Sequence, residues 1–269
     1  TGWYTLSLHD ALPIWNLTVG SLVVGSGPAG SRAIVDVGSG TLTLGGNVAY
    51  NVVNDPGMAA IRGNLALNGA TRTFTVADSV HSNALIDLDV PAVISGSAGF
   101  GITKAGVGAM RLSGPNTFDG AVSNNAGTLI VQNPQAFGVP SVARTVTVAA
   151  ASSLVLDGVG ISDPNNRLTL NLSGTGNTLY GPISGALINQ SGNNTVPCAI
   201  LLAAAAQTVS MSGKMTLTGN VTAVNQPLTV HGVGDTELGG VLGLGTGGVT
   251  KNGGGTLTLS GSGNNSFTG

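Results

Sequence analysis

The sequence predicts an all-β fold, a parallel β-helix (β-solenoid) in which short strands coil one above the next. Three observations carry this. Strand-like segments with period-two alternation recur from Asn16 to the end of the chain. Gly or Asn bounds nearly every one of them. No stretch between them has a helical pattern.

Composition comes first because it removes whole classes. Charged residues make up 7% of the 269 residues, against roughly 25% in an average soluble domain. Low charge raises the alternatives of membrane insertion and disorder. The longest apolar run, 198–206, has nine residues, and a spanning helix needs about 20. Disorder requires low hydrophobicity or high net charge, but the hydrophobic fraction is 42% and the net charge −2. With nine Lys and Arg in all, the chain has no footprint for nucleic acid. Its 44 glycines fit many tight corners instead, with Thr, Ser and Asn replacing charge on the surface.

The first fifteen residues differ in texture. The segment YTLSLHDALPI at 4–14 lacks the Gly/Asn/Thr character that begins at Asn16. It resembles the translation of a common ligated sequencing adapter. Residues 1–15 are therefore read as a non-native adapter-derived segment, in which His9 and Asp10 carry no function, and 16–269 as a single β-helix repeat domain.

Two segments of that domain match each other well. GITKAGVGAMRLSG at 101–114 is followed by NTFDG at 116–120, and GVTKNGGGTLTLSG at 248–261 is followed by NSFTG at 265–269. Weaker copies of the strand part stand at 40–45, 63–68, 127–131, 153–157, 166–171, 213–219 and 226–230. In Thr41-Leu-Thr-Leu44 the leucines point one way and the threonines the other, so one side enters a core and the other meets water. Gly and Asn at the ends permit the positive φ angles of tight corners. Such a unit cannot bury its apolar side alone, but stacked coils form a continuous core. At about 20 residues per coil the domain makes on the order of 12 coils, a rod of roughly 60 Å.

The motifs at 101–129 and 248–269 closely resemble the passenger-associated, or autotransporter-associated, β-strand repeat. Lys104 and Lys251 occupy its lysine position, Asn116, Phe118 and Gly120 its turn, and Ala126-Gly127-Thr128-Leu129 its closing strand. The first copy departs from the pattern at Val107, Ala109 and Met110, which leaves the strand reading intact. The second copy stops at Gly269 inside the pattern, which is read as a C-terminal truncation. The resemblance implies a right-handed β-helix stalk, secreted or at the cell surface and associated with the outer membrane through other regions. Its implied roles are adhesion, aggregation or display. It implies host or environmental surfaces, glycans and neighbouring repeats of the same chain as partners, and no catalytic, cofactor-binding or metal-ligating residue.

Several features invite chemistry. Gly25, Gly27 and Gly30 make G-x-G-x-x-G after a strand, as in dinucleotide sites. That mechanism needs a following helix and an acid about 20 residues on. Gly38 and Gly40 argue against the helix, and no acid lies between Asp36 and Asp55. A glycine turn between strands is expected. The segment 232–238, with Asp235 and Glu237, has the look of a calcium nonapeptide but occurs once, and the cage needs repetition on successive coils. Asp87 and Asp89 form a close carboxylate pair, the starting point for the alternative of a polysaccharide lyase or hydrolase on a β-helix. Alternation places both on a solvated strand face. Outside the adapter-like segment there are ten acids and two histidines, His81 and His231, too few to assemble a triad. Cys198 lies in an apolar run and is expected in the core. Lys104 and Lys251 are expected to cover apolar surface with their stems while the amines bond turn carbonyls or reach solvent. A Thr-x-Thr array for ice or crystal binding is a third reading, on Thr41/Thr43, Thr145/Thr147, Thr216/Thr218 and Thr256/Thr258, but their spacing is irregular.

Overall fold

The computed structural model describes residues 16–25, 32–52, 57–79, 85–97, 99–139, 141–179 and 184–269. The adapter-like segment, Gly27, Gly30 and His81 lie outside the described residues. Those that are described form strands, turns and loops, with no helix and hence none long and apolar enough to cross a membrane.

Among the described residues every strand pairing is parallel, and residues pair with positions one coil further along the chain. The pairings resolve into three ladders. The first face runs from Val48 through Phe74, Lys104, Asn124, Val148, Leu172 and Leu202 to Ala223. The second runs from Ala59 through Leu88, Met110, Leu129, Leu154 and Leu187 to Thr208, Val230 and Lys251. The third begins as Leu17, Leu42, Leu65 and Ile94 and ends as Val196, Leu217, Leu238 and Leu259. This is the predicted β-solenoid.

The rod has about ten turns, fewer than the expected twelve. The reason is coil length. Ala109 pairs with Thr128, 19 residues on, but Leu154 pairs with Leu187, 33 residues on. Long excursions between the first and second faces use chain without adding a turn.

The core is the inside of the coil. Leu88, Met110, Leu129, Leu154 and Leu187 stack on consecutive turns and are fully buried, as Leu42 and Leu44 are on the third face. Each such side chain contributes about 1.5–3 kcal/mol by leaving water. The strand copies read from sequence are strands here, with their leucines inside. Cys198 is buried as expected, and burial pushes its thiol up to about 12, which leaves it inert as a nucleophile.

Corners are closed by a recurring device. An Asn or Asp side chain accepts the backbone N–H of a residue on the next coil. Asn47 accepts from Thr73 at 3.0 Å, Asn193 from Lys214 at 2.9 Å, Asn220 from Val241 at 2.9 Å and Asp235 from Thr256 at 2.7 Å. These bonds satisfy N–H groups that the turn removes from the ladder. The corner residues Asn68, Asn166 and Asn225 adopt positive φ, which Asn tolerates better than other non-glycine residues.

Candidate functional site

The carboxylate pair is the first place to look for chemistry, and here the sequence expectation fails. Asp87 and Asp89 point outward, but both are buried. Residues 77–79 lie over Asp87. Its two oxygens accept the N–H of Ser79 at 2.8 Å and of Ala109 at 2.7 Å. Asp89 makes a two-pronged ion pair with Arg111, both contacts at 2.8 Å. An excursion of the chain covers what alternation alone leaves wet. The arrangement ties coils together and puts neither carboxylate in an open groove.

Other candidates resolve in the same direction. The chain after the G-x-G-x-x-G segment is a strand, Arg32–Leu44, so the helix that a pyrophosphate requires is replaced by β structure. Asp235 is spent on the Thr256 N–H, and Glu237 pairs with Lys214 at 2.5 Å. No group of three metal-ligating side chains occurs among the described residues. The Thr-x-Thr pairs divide between two faces: Thr145/Thr147 sit on the first, while Thr41/Thr43 and Thr216 sit on the third. They do not form one lattice.

The lysine motif has a definite geometry. Gly106 and Gly253, the first glycines of the two G-x-G turns, have φ of 79° and 78°. Lys104 is fully buried, and its amine donates to the carbonyls of Gly106 at 2.5 Å and Ala126, on the next coil, at 2.7 Å. Lys251 is half-buried and donates to Asn252 at 2.6 Å and Gly253 at 3.0 Å. The turn after it works the same way in both copies. Asn116 Oδ1 accepts from the Ile94 N–H at 2.8 Å, and Asn265 Oδ1 from the Leu242 N–H at 2.9 Å. Asn116 also donates to Ala136 at 2.7 Å and so bridges three coils from a buried position.

The passenger-associated-transport-repeat family matches residues 34–51, 102–131 and 249–269. These segments are the strand, G-x-G turn, strand and closing corner just described. Over these three segments the chain is similar to the passenger repeat of autotransporters, here built into a β-solenoid. No curated protein and no solved structure matches it.

The first of the three passenger repeats was visible in the sequence only as a short strand copy, because it lacks the lysine. Asp36 stands in that place and accepts the N–H of Gly38 at 2.9 Å, with Gly38 at φ 56°. A carboxylate thus caps the turn through its N–H where lysine caps it through carbonyls. The repeats also differ in phase. Those at 34–51 and 249–269 start on the second face and pass to the third, whereas that at 102–131 starts on the first and passes to the second. The motif encodes a corner and its flanking strands, and it serves at more than one corner of the rod.

Two buried cations escaped sequence reasoning. Arg72 donates to the carbonyls of Leu67, Gly45 and Asn68. Arg144 donates to Phe118, Gly120 and Phe137, with its guanidinium 5.5 Å from the Phe118 ring centroid. Both occupy inward positions of the first face and join carbonyls of successive coils. The available signal was an Arg in phase with the inward residues of its strand.

Two buried charges give this rod a pH signature. Burial raises Asp87 to about 6, against the two N–H bonds and Lys104, which favour its ionised form. Burial lowers Lys104 to about 8, against the pull of Asp87 and Asp78. An acid whose folded pKa is raised loses stabilising contribution as pH climbs from about 4 through 6. A base whose folded pKa is lowered gains it as pH climbs from about 8 towards its ordinary value. The two contributions are therefore lowest together between about pH 6 and 8. In urea titrations, the stability of the native chain relative to Asp87→Asn should fall between pH 4 and 6 and level off above 7. A difference that is flat across that window would contradict the assignment.

Proposed function

We propose that this rod is a non-catalytic stalk of a secreted or surface-exposed autotransporter-like protein, serving adhesion, aggregation or display. One observation carries the reading. The residues that define the passenger repeat, from Lys104 and Gly106 to Asn116 and Phe118, are spent on closing corners and joining coils. Lys104, Asn116 and Phe118 are fully buried, and the polar atoms of the first two are turned to backbone groups inside the rod, away from any substrate. The outward side chains of the coils then remain as the working surface.

The test is display. The chain is placed between a secretion signal and an outer-membrane barrel and expressed in a Gram-negative host. Antibody labelling of intact cells and cleavage by added protease are expected, together with faster settling of the culture or attachment to a coated surface. Chain that stays inside the cell would overturn the surface reading. Chain that reaches the surface without changing settling or attachment would reduce the role to display alone.

A further inference from the structure

The three faces of the rod turn different exteriors to their surroundings. The outer side of the second face carries Asp36, Arg62, Asp89 and Arg111, and further along Ile130, Val155, Ile188 and Val209 are buried there beneath Ile86, Leu179 and Met211. The outer side of the third face carries Lys214, Asp235 and Glu237. The first face is unlike either. Its strands hold three charged residues, Arg72, Lys104 and Arg144, and all three point into the rod.

What remains outside is neutral and in register. Thr73, Thr103, Ser123, Thr147 and Asn171 pair in one column on five consecutive coils, and Thr222 continues it beyond Leu201. Strand spacing sets neighbours in the column about 4.8 Å apart. The flanking outward positions are also small and uncharged: Thr75 and Ala105 on one side, Thr145, Thr169 and Ala199 on the other. They lie about 6.7 Å from the column along each strand. Among the described residues the outer side of these strands is therefore hydroxyl-bearing and uncharged, with Arg167 just before Thr169 at its rim, bonded to the Ser141 carbonyl.

That chemistry selects a partner class. Nucleic acid needs many cations to replace its counterions, and the strands of this face turn none outward, leaving Arg167 alone at the rim. A protein partner is held by aromatic or Arg anchors in pockets, and this column has neither. A neutral polymer that repeats the same hydroxyls can make the same small contact on every coil. No ion on either side has to shed water, and many weak contacts in parallel give a durable hold. We infer that the outer first face docks on the surface of an insoluble, uncharged polysaccharide, hydroxyl to hydroxyl, with several coils engaged at once. The inference rests on the surface role proposed above and names its ligand.

The experiment is retention on solids. The purified chain is mixed with microcrystalline cellulose, with chitin and, for comparison, with insoluble calcium alginate, and the bound fraction is measured. Retention on cellulose or chitin is expected to exceed that on alginate. The triple variant Thr103→Lys, Thr147→Lys, Thr222→Lys should lose it by about tenfold or more, while Thr216→Lys on the third face should not. Circular dichroism checks that each variant folds. Should the triple variant misfold, Thr147→Lys alone is expected to weaken retention several-fold. The solid should release no reducing sugar. Failure of the native chain to bind either neutral solid, or equal binding by the folded triple variant, would overturn the inference. So would shaping of ice crystals without retention on glycan, which would give the face to a water lattice. Display at the cell surface is read separately, so loss of glycan retention leaves the stalk reading intact.

Discussion

Replacing Phe118 by Ala is expected to lower the free energy of unfolding by about 3–5 kcal/mol. The ring is fully buried at a corner of the coil, under the Arg144 guanidinium and beside Asn116. Its removal subtracts apolar burial and leaves a cavity that rigid backbone on both neighbouring coils cannot close. The corner also carries the Phe118 N–H bond to Ile94 and the Arg144 bond to the Phe118 carbonyl, so any shift of this residue disturbs two coils. Phe267 holds the same place in the last repeat but is only partly buried. Phe267→Ala should cost less than half as much. Urea unfolding of both variants, followed by far-ultraviolet circular dichroism, measures the difference. Equal losses would mean that the motif residue acts locally and that coil-on-coil packing adds nothing.

The second large effect concerns a glycine whose cost depends on its neighbours. Gly106→Ala is expected to destabilise by about 2–6 kcal/mol. Part is the left-handed backbone at φ 79°, worth about 1–3 kcal/mol for a residue with a side chain. The rest is steric: the new Cβ would run into the backbone carbonyl of Val76 on the previous coil, an overpacking of about 1–3 kcal/mol. Gly38 occupies the same motif position with φ 56°, yet nothing lies within 4 Å of the Cβ it would acquire. Gly38→Ala should therefore cost only about 1–2 kcal/mol, the backbone penalty alone. Thermal melts of the two variants make the comparison. A Gly38 variant as damaged as the Gly106 variant would assign the whole effect to φ and none to stacking.

Chemistry at the surface followed a different logic from chemistry at the corners. The sequence reading treated Asp87 and Asp89 as solvated because Leu88 and Val90 alternate with them, and the alternation itself is correct: Leu88 and Val90 are inside. What it could not contain is the cover. Ser79 and Ala109 reach Asp87 from eight residues before it and 22 after. Arg72 and Arg144 show the complementary limit. Their phase within the strand places them inward, but the carbonyls that make an inward guanidinium tolerable come from positions up to 27 residues away. Buried donors are affordable only where such acceptors converge.

By itself the sequence determined the local code. Alternation such as Thr41-Leu-Thr-Leu44 sets which side of a strand is apolar, because side chains repeat every two residues. Gly106 and Gly253 set where the chain turns, because φ near 80° excludes most other residues. The need to bury a one-sided strand makes stacking the outcome. The tertiary structure decided everything that depends on which coil lies next to which. It fixed the number of turns, because excursions of uneven length lie between the strands. It placed the repeat at 102–131 one face out of phase with those at 34–51 and 249–269. It aligned Thr73, Thr103, Ser123, Thr147 and Asn171, spaced 30, 20, 24 and 24 residues apart, into one uncharged column. Those spacings look irregular along the chain. They become regular only when backbone hydrogen bonds hold each coil at one strand spacing from the next.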